Sequence, residues 1–127
     1  MKEKAAKKKG LREGKKLLTG KWRITSMGLW DKGYFDEEVK AFISIQKGGC
    51  GEFHFGYVQG DICGEFKSTP LGVVFDFTFE ATEESEQVSG DGWICTADGK
   101  IAEGEIRFHC GDKSGFLAKK LFEKIKR

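Results

Sequence analysis

The sequence predicts an all-β protein, specifically an eight-stranded antiparallel up-and-down β-barrel. Its 127 residues fit a single domain. It contains 11 Phe, 18 Gly and one Pro, as expected of aromatic strands joined by tight turns. Closure is favoured because an open sheet this rich in Phe would leave two exposed edges and an apolar face. The alternative is a two-sheet sandwich, which needs longer crossing connections than this chain offers.

Short runs of alternating apolar and polar residues locate the strands. In the clearest run, Phe75, Phe77 and Phe79 are expected to face inward, and in a later run Trp93 and Cys95 are expected to do so. The first strand is expected to direct Trp22, Ile24 and Ser26 inward, and the second Val39, Ala41, Ile43 and Ile45. We expect strands at about residues 20–27, 39–46, 51–58, 62–67, 73–80, 92–97, 101–110 and 116–119.

Charge is distributed unevenly along the chain. Residues 1–18 carry eight Lys or Arg and two Glu, and residues 119–127 carry five and one, which leaves nine basic and 17 acidic residues in 19–118. We expect a basic tail at 1–17, flexible or partly helical, a barrel at 18–120, and a basic tail at 121–127 that forms a short helix. Both tails leave an eight-stranded meander at the same end. The opposite end, here called the mouth, is expected to be acidic, with these carboxylates: Asp31, Asp36, Glu37, Glu38, Asp61, Glu83, Glu84, Glu86 and Asp112.

Gly20-Lys21-Trp22 resembles the Gly-x-Trp start of lipocalins and of fatty-acid-binding proteins. In lipocalins this Trp plugs the closed end of the barrel and packs against a basic residue of the last strand. The resemblance therefore implies that Gly20 and Trp22 close this barrel together with Lys119, or with Lys120 as the alternative.

The chain as a whole is similar to a family of small prokaryotic proteins of uncharacterised function. Three motifs carry this likeness: Trp-Asp at 30–31, Phe-Gly-x-Val-x-Gly at 55–60 and Ser-Gly-Phe-x-Ala-Lys at 114–119. The resemblance implies the same lipocalin-like barrel and brings no activity with it.

Aromatic residues line the expected interior and the long connection at 28–38, which indicates a non-enzymatic barrel that binds a small apolar ligand. An acidic mouth favours neutral or cationic compounds over anionic fatty acids. Trp30, Tyr34 and Phe35 would form a lid. The candidate ligand-binding residues are Trp30, Tyr34, Phe35, Phe55, Tyr57, Phe75, Phe77, Trp93 and Phe108.

The same aromatic side chains could instead fill the barrel and leave no cavity. The protein would then be an interaction module that docks an anionic macromolecule through its basic tails, or another partner through its acidic mouth. We expect a monomer or a weak homo-oligomer.

Other chemistry finds little support in the sequence. An even number of cysteines permits disulfides, but reduced thiols are expected in a chain without a signal segment. The four cysteines form no C-x-x-C pair, so no metal site is expected. His54 and His109 fall on the outer face, so we expect solvated histidines and no haem or other cofactor. No nucleophile motif is present. No apolar run approaches the roughly 20 residues that span a bilayer, and the N-terminus lacks an apolar signal core, so a cytoplasmic location is expected.

Overall fold

The protein is a closed eight-stranded antiparallel β-barrel whose strands follow one another in chain order. The computed structural model describes residues 2–70 and 72–122, with side chains from residue 10 onward. The fold class predicted from the sequence is confirmed. The elements are α1 (Lys2–Leu18), β1 (Gly20–Met27), α2 (Lys32–Phe35), β2 (Phe42–Ile45), β3 (Cys50–Phe55), β4 (Val58–Thr69), β5 (Gly72–Glu83), β6 (Glu86–Thr96), β7 (Ile101–Phe108) and β8 (Lys113–Leu121).

The first and last strands pair to close the barrel. Trp22 lies opposite Lys120, and Met27 lies opposite Phe116. The register between β1 and β8 shifts between Ile24 and Ser26. Because of this irregularity, the Met27 side chain faces the core. Ser26, expected to face inward, is exposed for that reason.

The interior of the barrel pairs large rings with glycines on neighbouring strands. A Cβ atom on Gly92 would lie 2.7 Å from the Phe77 ring, and one on Gly90 would lie 2.7 Å from the Phe79 ring. The rings of β5 therefore occupy the space that side chains on β6 would otherwise fill. Glycine is required at these inward positions by close packing.

This packing shows that the residues of β6 expected to face the interior were the wrong ones. The strand begins at Glu86, well before residue 92, and Ile94 is its fully buried residue. Trp93 and Cys95 lie on the outer face, where Trp93 pairs with Asp76 of β5 and Glu105 of β7. The expectation that Trp93 faces inward was wrong because the true inward positions are glycines, which give no apolar signal.

Only β1 has the bounds that the sequence predicted, and β2, β4 and β7 are among the strands that differ. The strand β2 begins at Phe42, and Val39, expected to face inward, is exposed. The strand β4 spans 12 residues from Val58 to Thr69 and buries Val58 at its start. The strand β7 ends at Phe108, because the chain turns at Cys110 with a φ of 55°.

The basic N-terminal segment forms a 17-residue helix that packs against one end of the barrel. Leu18 is fully buried. Gly14 lies against Val73 so closely that an added Cβ would come within 2.3 Å of the valine Cβ. The helix is therefore an integral cover over this end, here called the helix end, whereas we had expected a tail that was flexible or partly helical.

The C-terminal segment was expected to form a short helix from residue 121. Leu121 instead belongs to β8, where it pairs with Lys21, and Phe122 is exposed. Residues 123–127 of that expected helix lie outside the described residues.

Candidate functional site

The mouth of the barrel is formed by the connection 28–41 and by the turns at 56–57, 84–85 and 109–112. An ion pair anchors the longest of these. The Arg23 guanidinium of β1 donates to both carboxylate oxygens of Asp36, one of them at 2.7 Å, and also to the carbonyls of Ile24 and Ala41. The Asp36 carboxylate accepts the Ala41 amide at 2.9 Å as well. The hydrogen bond from Arg23 lowers the pKa of Asp36, although burial acts in the opposite direction.

The single helical turn α2 positions the aromatic side chains of this connection. Asp31 caps it by accepting the Tyr34 amide at 3.0 Å. The Phe35 carbonyl accepts the Gly56 amide at 2.8 Å, which ties α2 to the turn between β3 and β4. Gly56 has a φ of 55°, and a Cβ there would lie 2.4 Å from the Tyr34 ring. Glycine at this position therefore makes room for Tyr34.

Six of the nine candidate ligand residues gather at the mouth. The Trp30 ring lies 5.3 Å from Phe55, 5.9 Å from Tyr34 and 6.3 Å from Phe108, centre to centre. Tyr34 meets Tyr57 edge-on at 6.0 Å. The sixth, Phe35, is buried. The rings of Trp30, Tyr34, Phe55, Tyr57 and Phe108 are here called the aromatic cover.

Below this cover the barrel is filled. Phe108 packs edge-on against Phe79 at 5.4 Å, and Phe79 packs against Phe53 at 5.1 Å. The Phe53 and Phe79 side chains, like those of Phe75 and Phe77, are at most 2% exposed. Side chains this well enclosed have no water-sized space beside them, so the interior positions named here leave no room for a ligand.

The remaining candidates lie away from the mouth. Phe75 and Phe77 stack at 5.6 Å, and Phe75 packs on Phe66 towards the helix end. Trp93 lies in an open groove of about 670 Å³ on the outer wall, beside Cys95 and Leu117. These three aromatic residues therefore do not share a site with Trp30.

Open space at the mouth takes the form of a cleft of about 330 Å³ on one side of the aromatic cover. Trp30 and Phe108 supply its aromatic surface, and the cleft reaches to the turn between β7 and β8. Its lining residues are Trp30, Glu83, Gln87, Val88, Ser89, Phe108, His109, Gly111 and Asp112.

The electrostatic character of the mouth is negative. Burial and the nearby Glu83 carboxylate raise the pKa of Tyr34. The pKa of Tyr57 is raised chiefly by Glu37, whose carboxylate accepts its hydroxyl at 3.2 Å. Both phenols therefore stay neutral at physiological pH. In the part of the chain that the structure describes, the side chains of Glu83 and Asp112 form no hydrogen bond or ion pair, so both carboxylates are available in the cleft.

The barrel-closing residues lie at the helix end. Trp22 is fully buried, and its indole N–H donates to the Leu18 carbonyl at 2.9 Å. The cation over its ring, at 4.6 Å, is Lys120. Lys119, which we had expected in this role, is exposed on the outer face, because alternation along β8 sends it away from Trp22. A Cβ on Gly20 would lie 2.7 Å from the Lys120 side chain, so Gly20 makes room for it.

The two histidines differ in environment. His54, expected to be solvated, is only 9% exposed and shares a hydrogen bond of 3.1 Å with Glu38. His109 is exposed at the cleft, where its imidazole lies 3.6 Å from the Cys110 sulfur. Within residues 2–70 and 72–122, no group of three or more His, Cys, Asp or Glu side chains is placed to hold a metal.

Sequence reasoning missed the β6 wall of the cleft, formed by Gln87, Val88 and Ser89. The available signal was a period-two pattern running from Val88 through Gly90 and Gly92 to Ile94. Two glycines in the middle of that pattern concealed it.

Comparison of the chain with protein-family models, with curated proteins and with solved structures gives no match. None of the helices in the described residues is long and apolar enough to cross a bilayer. The chemistry of the site therefore has to be deduced from its own residues.

Proposed function

We propose that the protein binds a small molecule with a flat apolar part and a positive charge, and that it does so in the mouth cleft. The observation that carries this proposal is the combination in one cleft of the Trp30 and Phe108 rings with the free carboxylates of Glu83 and Asp112. Aromatic faces and carboxylates both attract cations. A volume of about 330 Å³ lies at the lower end of the range for small-molecule sites.

Because the interior is filled, the proposed ligand site lies at the rim of the barrel and not on its axis. A lipocalin-like ligand would need space among Phe53, Phe75 and Phe79, which are packed against other side chains. The rim supplies instead a rigid floor, because Trp30 rests on Phe55 and the ion pair between Arg23 and Asp36 fixes the connection that carries it. No chemical step is assigned to this site, so the proposed role is binding.

Tryptophan emission tests the proposal, since the three tryptophans have separate environments: Trp22 is buried, Trp30 lines the cleft and Trp93 lies on the outer wall. The probe is phenethylammonium, and 3-phenylpropionate is its matched anion. In a Trp93→Phe variant we expect the cation to change the emission, the anion to have a much weaker effect, and added salt to weaken the response.

Trp30→Phe is the matched control and should abolish the response while leaving the fold intact. Substituting Glu83→Gln and Asp112→Asn together should weaken cation binding by about tenfold. Equal responses to the cation and the anion, or a response that survives Trp30→Phe, would contradict binding in this cleft.

The second candidate is docking of an anionic macromolecule on the helix end. The observation that favours it is that α1 is held on the barrel by Leu18 and Gly14 and leaves Arg12 and Lys16 exposed on a fixed surface. A charged surface of this kind attracts polyanions in a salt-dependent way.

A mobility-shift experiment with a short DNA duplex separates this candidate from the first. Arg12→Gln with Lys16→Gln should reduce binding at low salt. Lys32→Gln with Lys113→Gln removes two charges at the mouth and should leave binding unchanged. If both pairs have the same effect, binding depends on net charge and not on the helix end.

A further inference from the structure

The outer wall of the barrel carries a pair of cysteines in direct contact. Cys50 of β3 lies opposite Cys63 of β4, and their sulfur atoms are 2.9 Å apart. Both residues are exposed. Neither belongs to the mouth cleft, so this pair is independent of the proposed ligand site.

The sheet register places the two residues where a bond between them can form. The adjacent pair, Gly49 and Gly64, is joined by a backbone hydrogen bond of 2.8 Å, so Cys50 and Cys63 occupy a non-hydrogen-bonded position. Facing residues at such positions have Cα atoms about 4.5 Å apart. A disulfide spans Cα distances of about 4.4–6.8 Å. The backbone therefore does not have to move for the two sulfurs to bond.

We propose that Cys50 and Cys63 form a reversible dithiol–disulfide site that is oxidised by hydrogen peroxide. One thiolate attacks a peroxide oxygen, so that an S–O bond forms, the O–O bond breaks, and the released hydroxide is protonated to water. The second sulfur then attacks the sulfenic sulfur, so that the S–S bond forms and the S–O bond breaks, and a second water leaves with the proton of that thiol. Two electrons pass from the two thiols to one peroxide.

Either sulfur can make the first attack, because both residues are exposed. The hydrogen bond with Cys50 raises the pKa of the Cys63 thiol. Whichever sulfur reacts first has the other in contact, ready to complete the bond. Exposure of both sulfurs also lets an incoming thiolate, such as glutathione, reopen the bond.

The experiment uses the full chain with Cys95→Ser and Cys110→Ser, so that only this pair remains. Peroxide should remove both free thiols and lower the intact mass by about 2 Da, with a Cys50–Cys63 link found by peptide mapping in a monomeric product. Reduced glutathione should restore both thiols. In the same background, Cys63→Ser and Cys50→Ser should each leave a single thiol that peroxide converts to a sulfenic acid, which dimedone traps.

A register control tests the geometry itself. Cys63→Ser combined with Asp61→Cys keeps two exposed thiols on the same strands but places them diagonally, about 7–8 Å apart. The native pair should close at least about tenfold faster than this control, because facing thiols have the higher effective concentration. Equal rates, links formed only between chains, or a bond that glutathione does not reopen would overturn the proposal.

Discussion

The Lys120 ammonium lies 4.6 Å from the centre of the Trp22 ring and donates hydrogen bonds to the carbonyls of Leu17 and Thr19 at 2.7 and 2.6 Å. One side chain of the last strand thus holds the end of α1, the start of β1 and the face of the buried indole. Burial lowers the pKa of this ammonium, because its charged form loses part of its hydration. The Gly-x-Trp motif serves this arrangement, because Gly20 leaves space for the lysine.

The contact predicts that Lys120→Met destabilises the fold by about 2 kcal/mol, since two carbonyls lose a charged donor. Chemical denaturation at neutral pH measures the change. Lys119→Met is the matched control on the same strand, and because Lys119 is exposed its effect should stay within about 0.5 kcal/mol. Equal losses from the two substitutions would show that Lys120 has no special role.

The close approach of α1 to the barrel predicts opposite effects for two glycine substitutions in the same helix. Gly10→Ala should stabilise the protein by about 0.5–1 kcal/mol, because nothing lies within 4 Å of the added methyl group and alanine favours helix. Gly14→Ala should destabilise it, because the new Cβ meets Val73. Thermal unfolding compares them, and the cost of Gly14→Ala should be smaller in a Val73→Gly background, because that change removes the valine Cβ. A stabilising Gly14→Ala would mean that the helix does not rest on β5.

The ion pair beneath the mouth predicts a dependence of stability on acid. The folded pKa of Asp36 is lowered below its ordinary value of 3.8, so its contribution is complete above about pH 4–5 and is lost as pH falls through the folded pKa. Asp36→Asn should therefore cost about 1–3 kcal/mol at pH 7, and the difference from the parent protein should shrink near pH 3. Urea unfolding at both values measures this.

Asp61→Asn provides the comparison for that experiment, since Asp61 is exposed on β4. It should change stability by less than about 0.5 kcal/mol at either pH. A cost of Asp36→Asn that is the same at pH 3 and pH 7 would contradict the proposed charge on this carboxylate.

Gly56, in the turn between β3 and β4, lies against the Tyr34 ring, so a substitution there is expected to disturb the aromatic cover. Gly56→Ala should displace Tyr34 and alter Trp30 emission in the Trp93→Phe background, because the added methyl group meets the Tyr34 ring and the backbone has a positive φ. Gly48→Ala, in a turn at the helix end with open space around it, should leave the emission unchanged. An unchanged spectrum in Gly56→Ala would disprove the coupling of this turn to the mouth.

The sequence predicted those features that depend on local alternation. The bounds of β1, the inward direction of Phe75, Phe77 and Phe79, and closure of the barrel through Trp22 all follow from period-two patterns and from avoidance of free edges. Which β6 residues face inward could not be predicted in this way. The inward positions include Gly90 and Gly92, which carry no apolar side chain and pack against rings of the neighbouring strand.

The candidate site was likewise predicted only in part. The acidic, aromatic mouth followed from topology, which sends alternate connections to one end. A filled and a hollow interior both remained open, because the fit of rings against glycines depends on the register between neighbouring strands. The packing of α1 was also missed, since the contact of Gly14 with Val73 joins segments far apart in the chain.

The pairing of Lys21 with Leu121 also has a consequence for biosynthesis. During translation, β1 emerges from the ribosome about a hundred residues before the strand that completes its second edge. Until β8 is made, that edge of β1 has no partner strand, and the lysine that lies over the Trp22 ring is absent. Barrel closure is consequently a late step of folding, because it joins segments far apart in the chain.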